Sequence, residues 1–296
     1  MNIFYQYSWL KSLSPIRGDQ INEINTVKAL RKFAKVSYGQ SIDNTDISII
    51  RASKEAFRQA KGKRLWMASP YDREMFEKAD LIFTFTDTWT KWLREGKTFS
   101  LNPDGIAWGD KVVTFPQTIG EDFVKTSERK PTKTIRIGIF GRLKKSTYPV
   151  AFLDNLSKIN VFHRIEVVQG YNATNLHISY KNMPASIRHC DLILVGQHGD
   201  EWEFCGNIKP LEAAACGRPV ILERSSAREE TFGKNYRFFV ERGTMASRST
   251  SAMHSIIKKI NFYKNSKVLP DMPKYVEKHR IENTSKVLEG ILKRLL

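Results

Sequence analysis

The sequence predicts an α/β protein made of two doubly wound domains with mostly parallel sheets. Three observations carry that prediction. Segments such as "ISIIRAS" (47–53) and "DLILVGQ" (191–197) are apolar runs of the kind that buried parallel strands show. Strand, loop, helix and strand follow one another repeatedly along the chain. The alternation also stops at a polar stretch, "GEDFVKTSERKPTKT" (120–134), and then restarts, which marks a linker in a 296-residue chain long enough for two domains.

In the first half "NIFYQY" (2–7) is a strand, a loop crosses Pro15 and Gly18, and "QINEINTVKALRKFA" (20–34) repeats apolar residues at helical spacing, with Asp19 as its N-cap. The strand "ISIIRAS" follows, then a basic helix from Lys54, the strand "ADLIFTFTD" (79–87), the helix "TWTKWLREG" (88–96) and the strand "KVVTFPQ" (111–117). The expected first domain is 1–125.

In the second half "IRIGIFGRLKKS" (135–146) runs from a strand into a glycine turn. A helix from about Pro149, the strand "HRIEVVQG" (163–170), the segment "LHISYKN" (176–182) and the helix "PASIRHC" (184–190) precede the strand "DLILVGQ". Next comes "KPLEAAACGRPVI" (209–221). Asn207 can cap a helix, Pro210 is tolerated in a first turn, and Gly217 with Pro219 stops it, so 208–216 is a short helix. Ala213, Ala214 and Ala215 let it lie close against a sheet, and "PVILE" is the strand behind it. Glu212 sits about one turn inside, at the end of the sheet where ligands of doubly wound folds bind and helix N–H groups meet phosphates. The alternative is a solvated glutamate favoured by the helix dipole. The helix "AREETFG" (227–233), the strand "YRFFVE" (236–241) and helical segments near 249–262 and 272–295 complete the chain.

Composition bounds the partners. Hydrophobic residues make up 41% and aromatic residues 11%, enough for real cores. Lys and Arg number 48 against 31 Asp and Glu, a net charge of +17. The densest run, 51–67, holds Arg51, Lys54, Arg58, Lys61, Lys63 and Arg64 against Glu55, with Phe57 and Trp66 interleaved. Such a field favours polyanions, whether nucleic acid, acidic lipid or acidic glycan, unless it is a lysine-rich solvated surface. Cys190, Cys205 and Cys216 lack metal-ligand spacing and read as core residues of a reducing compartment. "MNIFYQYSWLK" lacks a basic n-region and no apolar run approaches a membrane span, so a cytoplasmic location is expected.

Two segments, "IFGRLKK" (139–145) and "CDLILVGQHGDEWEFCGNIKPLEAAACGRPVI" (190–221), resemble the donor domain of GT-B glycosyltransferases, most of all their large retaining group. "ADLIFTFTDTWTKWLRE" and "VVTFPQTIGEDF" look like the closing strands of the acceptor domain. The resemblance implies two Rossmann-like domains facing a cleft: an acceptor domain at 1–125, a donor domain at 135–270, and a C-terminal helix, 271–296, packing back towards the first domain. It implies that Glu212 accepts hydrogen bonds from the donor ribose, chemistry suited to a carboxylate and a vicinal diol. Following Gly141, Arg142 and one of Lys144 or Lys145 would clamp the departing diphosphate, where negative charge grows. The helix starting at Asn207 would add N–H donors.

Where that group places a second glutamate, eight positions before the first, this chain has Phe204. Glu203 is nine before and Glu201 eleven, and a one-residue insertion would let Glu203 touch the sugar. The Arg–Lys spacing in "GRLKKS" is shorter than usual, the first glycine-rich loop retains only Gly18, and residues 1–162 contain no histidine, so the histidine often found on the acceptor side has no counterpart there.

The implied reaction is a hexosyl transfer with retention and without metal, catalysed through Arg142, Lys145 and Glu203. A UDP- or GDP-sugar is the co-substrate and no cofactor is required. Asp19 and Asp87 are candidates to orient the acceptor hydroxyl, or are helix caps. For the acceptor, hydroxymethylated DNA is favoured, with Arg51, Lys54, Arg58, Lys61 and Arg64 on phosphates and Trp66 stacking on a base. A membrane lipid or cell-surface glycan is the alternative, and a non-catalytic nucleic-acid-binding protein is the third reading. No stable protein partner is inferred.

Overall fold

The computed structural model describes residues 1–7, 18–38, 44–124, 134–140, 164–170, 180–196, 202–245, 247, 249–266 and 268–296. The chain divides into two compact units, one of residues 1–119, 203–206 and 278–296, the other of residues 120–202 and 207–277.

The first unit is a six-stranded, all-parallel sheet in the order β2-β1-β3-β4-β5-β6. Its strands are β1 (Asn2–Tyr7), β2 (Lys35–Tyr38), β3 (Ile47–Arg51), β4 (Lys63–Met67), β5 (Leu81–Thr84) and β6 (Val112–Thr114). Successive side chains point to opposite faces, so each strand serves two cores. Leu65 and Met67 join Ile3, Ile49 and Phe83 on one face, covered by α1 (Gly18–Leu30) and the C-terminal helix over 281–295. Trp66 joins Ile50 and Ile82 on the other, with Phe57 of α2 (Lys54–Gln59), Phe76 of α3 (Arg73–Lys78) and Trp89 and Leu93 of α4 (Asp87–Arg94).

Three of these elements escaped the sequence reading. β2 is an edge strand with its residues half-buried or exposed, so "KVSY" has no apolar run to announce it. β4 lies inside the basic run 51–67, and α3 follows it in a stretch of mixed charge without helical periodicity. Gly62 separates β4 from α2 at φ +68°, where an added Cβ would sit 2.2 Å from the carbonyl oxygen of Asp46, so only glycine fits. α3 is short and capped by Asp72, which accepts from the Met75 N–H at 3.2 Å. Asp19 also differs from expectation: α1 begins at Gly18, which puts Asp19 inside the first turn and not at the cap.

The second unit has a five-stranded parallel sheet in the order β11-β10-β9-β7-β8. It is built from β7 (Thr134–Phe140), β8 (Arg164–Gly170), β9 (Leu192–Val195), β10 (Val220–Glu223) and β11 (Phe239–Val240). Gly138 of β7 permits close packing, since a Cβ there would meet Cys190 Sγ and Ile193 Cδ1, each at 2.8 Å. β11 is shorter than "YRFFVE" implies, because the backbone turns first, with the Phe239 N–H donating to the Tyr236 carbonyl at 3.2 Å, while the Tyr236 hydroxyl bonds both the N–H and the C=O of Val220. The helices are α5 (Met183–His189), α6 (Trp202–Cys205, assigned to the first unit from Glu203 on), α7 (Ile208–Ala215), α8 (Ser226–Phe232), α9 (Thr250–Asn265) and α10 (Met272–Tyr275). Tyr180–Asn182 form a 3₁₀ turn. The single helix expected over 272–295 is two, α10 and α11 (Ile281–Leu295), separated by a 3₁₀ turn at Glu277–His279.

Candidate functional site

In the second unit the carboxyl end of β9 leads, through residues 197–201 outside the described set, to α6 and α7. Asn207 caps α7 as the sequence predicts: its Oδ1 accepts from the Lys209 N–H at 3.0 Å. Gly217, at φ +74°, follows the helix end. Every residue of α7 is buried except Lys209, so the packed face carries Glu212 inward with the alanines.

Glu212 is fully buried. Its Oε2 accepts from Lys209 Nζ at 3.2 Å, while Oε1 has no hydrogen-bond partner among the described residues. Burial pushes its carboxyl above the ordinary range, and the Lys209 ammonium and the Tyr180 hydroxyl draw it back. A buried acceptor without a donor costs about 1–3 kcal/mol, a cost that an arriving hydroxyl removes. This is the opposite of a solvated first-turn glutamate. Gly141, Arg142, Lys144 and Lys145 lie outside the described residues, as does Glu201.

Phe204 has a physical cause of its own. It is 1% exposed and packs within the first unit against Trp89, Trp92 and Phe99, with ring centroids 5.5, 5.3 and 4.5 Å away. The Thr86 hydroxyl, which also caps α4, donates to its carbonyl oxygen. A glutamate at 204 would bury a charge among these rings, so packing explains the departure. Glu203 precedes it on the same turn, half-buried.

The basic run of the first unit looks different folded. Arg51 pairs with Glu23, which is wholly buried and also accepts from the Tyr5 hydroxyl. Lys54 pairs with Asp72, Arg58 with Glu74 at 3.2 Å and Lys63 with Asp80 at 3.5 Å. Arg64 stacks over the Phe57 ring at 5.0 Å and donates to the Lys78 carbonyl. Lys61 is exposed. Trp66 corrects the expectation outright: it is 1% exposed, edge-on to Phe57 in the core, and offers no face to a nucleic-acid base. Acids distant in sequence neutralise a run that has only Glu55 within it.

Asp87 stands at the carboxyl end of β5 as the first residue of α4. The cap is Thr86, so Asp87 is not one. Its exposed carboxylate accepts from the Thr114 hydroxyl at 2.7 Å, and Thr114, Thr90 and Thr84 continue as a chain of hydroxyls 2.7 and 2.6 Å apart. The network ties α4 to the ends of β5 and β6 and fixes the carboxylate.

Sequence reasoning missed His279. The 3₁₀ turn before α11 joins the first unit, where the His279 carbonyl accepts from the Ile119 N–H at 2.8 Å. Nδ1 lies 2.8 Å from the Gln117 carbonyl, an acceptor, so Nδ1 carries the proton and Nε2 a lone pair. Nε2 is buried without a partner among the described residues. Burial pushes the imidazole down to about 4; the Gln117 carbonyl and Asp87 act the other way, and Lys278 adds to the depression. No pattern near 279 signals this, because its partner at 117 is far off in sequence.

Among the described residues, no three His, Cys, Asp or Glu group as a metal site, and no helix is long and apolar enough to cross a membrane. Cys190 and Cys216 are buried and Cys205 half-buried, all as free thiols.

No family model matches the chain, and no curated protein does. Solved structures do. HepE of Anabaena, in complex with UDP and glucose, superposes with a TM-score of 0.64 at 12% identity over 99% of this chain and 100% of that one. Sucrose-phosphate synthase from Thermosynechococcus elongatus gives 0.69 at 10%, over 99% and 98%. The lipopolysaccharide outer core galactosyltransferase WaaB gives 0.61 at 13%, over all of both chains. At these identities the likeness establishes the fold: mixed α/β with parallel sheets in Rossmann-like domains, as in GT-B glycosyltransferases.

Proposed function

We propose that this protein is a glycosyltransferase that takes its sugar from a nucleoside diphosphate donor. The observation that carries the reading is Glu212, a buried carboxylate with one oxygen lacking a donor, one turn inside the helix that follows a central strand of the second sheet. Two vicinal ribose hydroxyls supply the missing donors. Arg142 with Lys144 or Lys145 meets the diphosphate, and the α7 N-terminus adds N–H groups. The donor is a UDP-sugar, as in the HepE complexes.

Transfer is with retention and without metal: the leaving diphosphate takes the acceptor proton on the same face, and the protein orients and neutralises charge. Glu203 faces the sugar. The acceptor is an anionic glycan or glycolipid, in keeping with the +17 charge and with the substrate in WaaB's name. DNA draws no support from 51–66, where Trp66 is core and most cations are paired. The non-catalytic reading loses the support it drew from Phe204.

The test is calorimetric titration of wild type and Glu212→Gln with UDP and UDP-glucose, alongside UDP release on adding lipopolysaccharide core oligosaccharides. Binding by wild type that weakens in the variant supports the reading. Equal affinity in both overturns it.

A further inference from the structure

Most cations of residues 51–64 meet acids, but a basic region of the second unit has too few acids to do the same. Residues 224–265 hold nine Lys and Arg against three Glu, and α9 has no acid along its 16 residues. Tertiary contacts gather several of these cations on one surface. Arg224, just past β10, lies over the Phe239 ring of β11 at 4.9 Å and donates to the Lys234 carbonyl at 3.0 Å. Lys259 of α9 donates to the Arg237 carbonyl at 2.7 Å, and the Arg237 guanidinium sits over Phe262, in the last turn of α9, at 5.4 Å. Glu229 and Glu241 both go to Arg224. Lys234, Arg237 and Lys258 are exposed, and among the described residues no carboxylate pairs with them. Burial and then Arg224 push the Lys259 ammonium below its ordinary range, while Glu241 acts the other way. Positive charge is in surplus on this face. Apolar groups stand beside it: Ile257 and Phe262 are half-buried on α9, and Val268, three residues past the helix, is 83% exposed.

We propose that the face built by α9 and the β11 edge, with Lys234, Arg237, Lys258 and Lys259 as its cations and Val268 as its apolar tip, is a docking surface for an anionic lipid bilayer. Headgroup phosphates and carboxylates complement the unpaired cations, and such attraction adds up over each Lys or Arg held near the membrane. An exposed valine beside cations gains by entering the headgroup boundary, where water is displaced from it. Nucleic acid would use the cations alone: the Phe262 face is already taken by Arg237, so no ring is offered to a base, and Val268 would stay in water. None of these residues takes part in the donor reading, and the surface stands or falls without it.

The test is co-sedimentation of the full chain with vesicles of phosphatidylcholine alone and of phosphatidylcholine mixed with phosphatidylserine, at low and at physiological salt. The expected result is binding to the anionic vesicles only, weakening as salt rises. Arg237→Ala with Lys258→Ala should lower the partition coefficient at least about tenfold, and Val268→Ser about threefold. Lys54→Ala with Arg58→Ala removes the same net charge from residues that are already paired and should leave partitioning within about twofold. Circular dichroism and urea unfolding verify that each variant is folded. Equal binding to both kinds of vesicle, or to neither, overturns the proposal. So does a loss in the Arg237 and Lys258 double variant no larger than in the Lys54 and Arg58 one, or a Val268→Ser variant that partitions as wild type does. Duplex DNA that strips the protein from vesicles, and whose binding falls in the Arg237 and Lys258 variant while Val268→Ser changes neither ligand, assigns the face to nucleic acid instead.

Discussion

Residues 51–66 and 203–216 are the two most conspicuous segments of the sequence, and folding turns their polar groups to opposite uses. The first is dense in cations and reads as a binding surface, yet its charges meet Glu23, Asp72, Glu74 and Asp80, and its tryptophan is core. The second is mostly apolar with two carboxylates, Glu203 and Glu212, and Glu212 keeps a hydrogen-bonding atom unmet where a ligand's donor would be stabilising. A candidate site is thus marked less by charge in sequence than by polar capacity that the fold leaves unfilled at a place able to hold it.

Four measurements would break or sharpen that contrast. Phe204→Ala should cost the most, about 3–5 kcal/mol by urea unfolding, as a buried ring is lost from the aromatic cluster; Phe204→Glu should cost at least as much, since the carboxylate would be buried unpaired. A loss under about 1 kcal/mol in both would show that the ring is not an anchor and revive the idea of a merely lost glutamate.

His279 follows. Its pKa is pushed down to about 4 when folded against 6.5 when free, so on acidification the unfolded chain takes up the proton first. The contribution is present in full above pH 6.5 and fades as pH falls to 4, by about 3 kcal/mol over that window. Unfolding free energy of wild type minus that of His279→Gln should fall by that amount, whereas a flat difference would mean an exposed ring.

Glu212→Gln should weaken UDP-sugar affinity about 10- to 100-fold, the span of one or two hydrogen bonds to a charged acceptor, with little loss of stability because a buried charge is also removed. The smallest effect belongs to the basic run. Lys54→Ala with Arg58→Ala should change stability by less than about 1 kcal/mol, as exposed pairs do, and duplex DNA affinity by less than about twofold. A steep, salt-dependent loss of DNA binding would restore the run as a polyanion surface.

Much of the fold was legible because the signals are local. Buried parallel strands write themselves as apolar runs, and "LILV" and "VILE" are buried at every position. Capping is a contact between near neighbours, hence the agreement at Asn207. The failures share a cause as well. β2 is an edge strand without a buried face, β4 was hidden by its flanking cations, and Asp19 was placed at a cap that the helix start at Gly18 displaces. Glu212 was visible because local helix, strand and carboxylate coincide within a dozen residues.

By itself the sequence determined the class of the protein, two Rossmann-like parallel sheets, and the position of the buried glutamate, since periodicity, caps and apolar runs act over a few residues and survive without knowledge of partners. The tertiary structure decided which charges are spent on one another, that Trp66 and Phe204 are core, and that His279 comes to rest against Gln117. Each of these depends on contacts between separate elements, for Phe204 and His279 across more than a hundred residues. Linear order carries no record of such distances until the chain has closed on itself.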